Sequence, residues 1–83
     1  MALPNDVALM LSSAGISTTL TGDALVTAIR SAIADRRGYL GELTVTEIGF
    51  RVELVSPHTM TFEGRTPELA LAWVLIFLMR ETG

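Results

Sequence analysis

His58 is the only histidine in the chain, and no cysteine accompanies it. It follows Pro57 in a Ser56-Pro57-His58 stretch that reads as a turn. A metal ligand or general base needs partners, and this composition supplies none at that spacing. His58 therefore reads as a solvent-exposed turn side chain. The polar stretch 12–23, with Gly15 and Gly22, has the small residues of a phosphate-cradling loop. But Asp23 stands where a lysine would help, and no strand precedes the loop. Glu47, Glu53 and Glu63 lie on or near a strand pattern. A glycosidase-type carboxylate pair needs a deep cleft, for which 83 residues leave little room, so these three read as a solvated face. Arg36, Arg37, Arg51 and Arg65 are the candidate contacts for a ligand or partner, since guanidinium groups suit phosphates and carboxylates. No catalytic residue, cofactor site or metal site is expected.

Composition narrows the classes further. Residues 1–83 are expected to form one domain, near the size where a single core is only just sufficient. Half of the residues are apolar, which excludes a disordered tail. Six cations, all arginine, face nine carboxylates. That mildly acidic balance argues against nucleic-acid binding. Without cysteine there is no disulfide framework and no thiolate chemistry. The start, MALPNDVALML, lacks a positive region and offers five apolar residues, too few for a secretory signal. A cytoplasmic protein is the expectation.

The elements that position these residues can be read from periodicity. Residues 5–14 form a short first helix, opened at Pro4 or Asn5 and closed by Gly15, with Val7, Met10, Leu11 and Ala14 on one stripe. Residues 16–22 are a connection anchored by Ile16 and Leu20. Residues 23–37 form a second helix on the stripe Leu25, Ala28, Ile29, Ala32 and Ile33, with Gly38 expected in the C′ position. The period then falls to two: Ile48, Phe50, Val52 and Leu54 alternate with Gly49, Arg51, Glu53 and Val55. Met60 and Phe62 are the inward residues of a further strand at 59–63. Placing Leu54 opposite Met60 sets Val52 against Phe62 and Arg51 against Glu63. Leu43 and Val45 have the opposite parity from Ile48. This predicts either a bulge near Glu47-Ile48 or a separate strand at 43–46, a bulged or broken strand being the preferred reading.

The last helix, 66–80, organises the rest. Thr66 is a natural N-cap, Pro67 suits the first turn, and Glu68 complements the helix dipole. Eleven consecutive apolar residues follow, 69–79. At ~1.5 Å per residue they are too short to span a bilayer core of ~30 Å. One side, Leu69, Trp73, Ile76 and Phe77, can lie on the sheet. The other, Leu71, Val74, Leu75 and Leu78, then needs a cover, and a second copy of the chain is the economical one. The first helix is the competing cover. The expected fold is α+β, in the order α-α-β-(β)-β-α, two-layered, with two to three antiparallel strands packed on helices.

Three resemblances attach to the chain from Asp23 onward. The segment 61–71, TFEGRTPELAL, resembles the strand-to-helix corner of HicB-type antitoxins, although the Pro-Asp-Leu-Pro-Gly-type stretch of that family is missing upstream. The α-β-β-β-α order from Asp23 is similar to double-stranded RNA-binding domains. Those open their last helix with basic residues where this chain has Thr66-Pro67-Glu68, which argues against RNA binding. The compact strand-turn-strand followed by Thr-Pro-Glu and an apolar helix resembles small phage-encoded sandwich proteins. That resemblance implies a phage origin, the host cytoplasm as location, and an inhibitor or regulator of a host protein as function. The sequence thus points to a small non-catalytic protein that associates with itself and binds another protein. A nucleotide-binding protein with its site at the subunit interface is the alternative.

Overall fold

The computed structural model describes residues 5–17, 19–56 and 59–82. Three helices and three strands follow in the order α1 (Asn5–Ser13), α2 (Gly22–Asp35), β1 (Tyr39–Thr46), β2 (Gly49–Ser56), β3 (Met60–Gly64) and α3 (Pro67–Thr82). The strands form one antiparallel sheet in the order β1-β2-β3. The fold is α+β, as expected. α3 packs on β2 and β3, and α1 and α2 pack on α3.

Local chemistry explains the helix ends. The Leu69 N–H donates to Thr66 Oγ1 at 3.1 Å, so Thr66 caps α3 as its sequence suggests. α1 ends with Gly15 at φ 84°, and the Ile16 N–H reaches back to the Leu11 carbonyl at 3.0 Å. This left-handed closure also brings Ile16 beside Leu11, and both are buried. α2 closes in the same way but with a different residue. Arg37, not Gly38, takes the left-handed conformation at φ 60°, and its N–H donates to the Ala34 carbonyl at 2.9 Å. Gly38 follows, donating to the Ile33 carbonyl at 2.9 Å. Its glycine identity is set by packing: a Cβ there would stand 2.6 Å from Leu78 Cδ1 and 2.7 Å from Ile33 Cγ2. The expected C′ glycine is thus one residue late, because α3 passes too close to allow a side chain at position 38.

The sheet confirms one register and corrects another reading. Leu54 faces Met60, Val52 faces Phe62 and Arg51 faces Glu63, as the hairpin requires. Arg51 Nη2 reaches Glu63 Oε1 at 2.9 Å across the exposed face. The parity break at Glu47-Ile48 is not a bulge within one strand. It is a two-residue turn, with Thr46 paired to Gly49, so β1 is a separate strand. The register irregularity lies instead between Tyr39 and Leu43, within β1. Ile48 accordingly leaves the expected inward row and is 74% exposed. Phe50, Val52, Leu54 and Phe62 keep their places in or against the core.

The core runs through α3. Leu71, Val74, Leu75 and Leu78 are fully buried, together with Ala70, Ala72 and Ile76. Val7 and Leu11 of α1 and Leu25, Ile29 and Ile33 of α2 belong to the same cluster. Each large side chain in it contributes roughly 1.5–3 kcal/mol by leaving water. Among the described residues, no polar or charged residue is buried.

Candidate interaction surface

Burial redraws the surface of α3. The four side chains expected to form an oligomer patch, Leu71, Val74, Leu75 and Leu78, are interior residues of the single chain. That assignment is corrected: α1 and α2 supply the second cover, and these four residues have no surface left to offer. Of the side expected to lie on the sheet, Ile76 is buried as expected, while Leu69, Trp73 and Phe77 form a shallower stripe. Trp73 is 38% exposed, Leu69 and Phe77 are half-buried, and Arg80, seven residues after Trp73, is exposed. Residues four and seven apart share a helix side, so Arg80 was the signal that this side is wet.

The location of the stripe follows from three contacts. The Phe77 ring lies 5.7 Å from that of Phe62 on β3, centroid to centroid. At the C-terminal end of β3, a Cβ on Gly64 would stand 2.6 Å from the Ala70 nitrogen, so the first turns of α3 rest on that strand. Leu78, close to Gly38 and Ile33, looks toward the end of α2. At 100° per residue, Leu69 and Trp73 point about 180° and 140° away from Leu78. They therefore lie on the side of α3 remote from that contact, beside β3. Met60, on the inward parity of β3, is 39% exposed and adds to the same apolar region.

A second apolar spot lies at the β1–β2 turn. Val45 and Ile48 are each 74% exposed, and Val45 pairs with the half-buried Phe50. Two large apolar side chains at one hairpin tip were not anticipated from the sequence. Val45 has the parity of the inward residue Phe50, and only the limited reach of α3 across the sheet leaves it bare.

The four arginines do not converge. Arg36 and Arg37 end α2, just before Tyr39, which pairs with Ser56. Arg65 follows Gly64, which pairs with Phe50 at the opposite end of β2. Six steps of ~3.3 Å, from Phe50 to Ser56, separate those positions by roughly 20 Å. Arg51 lies between them on the outer sheet face and holds Glu63. Glu47 and Glu53 are exposed, as expected of a solvated face. His58 lies outside the described residues. Among those described, no three His, Cys, Asp or Glu side chains gather in a metal-binding group. No helix there is long and apolar enough to cross a membrane.

No protein-family model, curated protein or solved structure matches the chain.

Proposed function

We propose that this chain is a small binding protein that works by contact rather than by catalysis, associating with itself and with another protein. The observation that carries the reading is the hairpin tip, where Val45 and Ile48 are both largely exposed. Isolated apolar residues on a surface are ordinary, but grouped ones mark a contact site. A hairpin tip also projects from the sheet, where a partner can close around it. The resemblance to small phage-encoded sandwich proteins supports an inhibitor or regulator of a host protein as the role within this class.

The test compares wild-type protein with Ile48→Asp as immobilised baits in a bacterial lysate. The expected result is a host protein retained by the wild type and lost with Ile48→Asp, while the variant keeps its circular dichroism. Equal retention by both baits would remove the hairpin tip from the interface. Thermal stabilisation by a nucleotide, with no protein retained, would favour the ligand-binding alternative instead.

A further inference from the structure

Two edges flank the sheet, and they are built differently. β1 carries register irregularities between Tyr39 and Leu43, of the kind that twist an edge away from intruding strands. β3, Met60-Thr61-Phe62-Glu63-Gly64, pairs with β2 without a break in register and contains no proline or lysine. Its one charge, Glu63, is already held by Arg51. β3, though short, thus carries no bulge, proline or lysine against the addition of another strand, and the half-exposed stripe of α3 lies beside it.

We propose that β3 pairs antiparallel with β3 of a second copy, centred on Phe62, to make a continuous six-stranded sheet. This rests on the self-association proposed above and assigns its surface. The second copy is favoured over other occupants because one two-fold operation satisfies both exposed features. Centring on Phe62 is the register that engages all five residues of β3. It sets Thr61 opposite Glu63 of the second copy and Met60 opposite Gly64, so no carboxylate faces a carboxylate. The two Phe62 side chains meet on the inward face. A two-fold axis normal to the sheet leaves both α3 helices on that same face. Their Leu69-Trp73-Phe77 stripes are then neighbours across the axis, and each covers the other. Strand pairing alone leaves those stripes wet, and helix pairing alone leaves the edge unpaired.

Sedimentation equilibrium on the full chain from 1 to 100 µM is the test, with Trp73→Glu and Met60→Lys as variants. Both positions are more than a third exposed, so both variants should keep the wild-type circular dichroism. The wild type is expected to have twice the chain mass, and each variant to weaken the dimer at least tenfold. Because the chain has no cysteine, Thr61→Cys can carry a single nitroxide label. Paired edges place two such labels within about 20 Å, given strands ~4.8 Å apart. A dimer that survives both substitutions, with labels beyond that distance, would overturn this interface and leave self-association standing. A wild-type monomer at every concentration would overturn both.

Discussion

Arg37 holds a backbone conformation, φ 60°, that glycine or asparagine adopts with less strain. Its side chain is exposed, so nothing of the core depends on it. Arg37→Gly should therefore stabilise the protein by about 0.5–1 kcal/mol, read as a higher urea midpoint at unchanged slope. The neighbouring glycine behaves oppositely. Gly38→Ala pushes a methyl group into Leu78 and Ile33, and a loss of about 1–3 kcal/mol is expected in the same assay. The Arg51–Glu63 pair is visible and short, yet both side chains are about half exposed, 50% and 44%. Solvent and salt screen such a pair. Arg51→Ala should cost less than about 1 kcal/mol, and less again in high salt.

α3 is the element through which the molecule is held together, and α1 is what completes its cover. Val7 and Leu11 are the two buried residues of α1, a helix of nine residues that is too short to be stable alone. Leu11→Ala should cost roughly 2–5 kcal/mol, as for other buried leucines, and thermal unfolding should report it. A negligible change would mean that α1 is only loosely attached. The sequence made α2 and the β2–β3 hairpin legible because their apolar residues recur at 3.6 or 2, and α3 legible through its capping residues Thr66, Pro67 and Glu68 and its unbroken apolar run. It misplaced Ile48 because the alternation of β2 continues by chance into a turn. It offered the strand at 43–46 only as the alternative, and did not extend it back to Tyr39, because the irregularity near Gly41-Glu42 scrambles the alternation there. The run 69–79 announced burial on nearly every side but could not name the cover. Periodicity is silent when every position is apolar. The one positional cue, Arg80 on the side of Trp73, pointed the right way.

At the scale of the whole molecule, one chain completes its own core around α3 and leaves a shallower apolar strip exposed, the surface proposed above for association. Obligate dimers that fold only on pairing unfold at midpoints that rise with protein concentration. A chain with its own core does not, once the association surface is spoiled. Urea unfolding of Trp73→Glu, followed over a hundredfold range of concentration, separates the two. A single cooperative transition, at a midpoint independent of concentration, is the result expected. A variant already unfolded without urea, or one whose midpoint climbs with concentration, would contradict this and show that α3 needs a second chain to be covered.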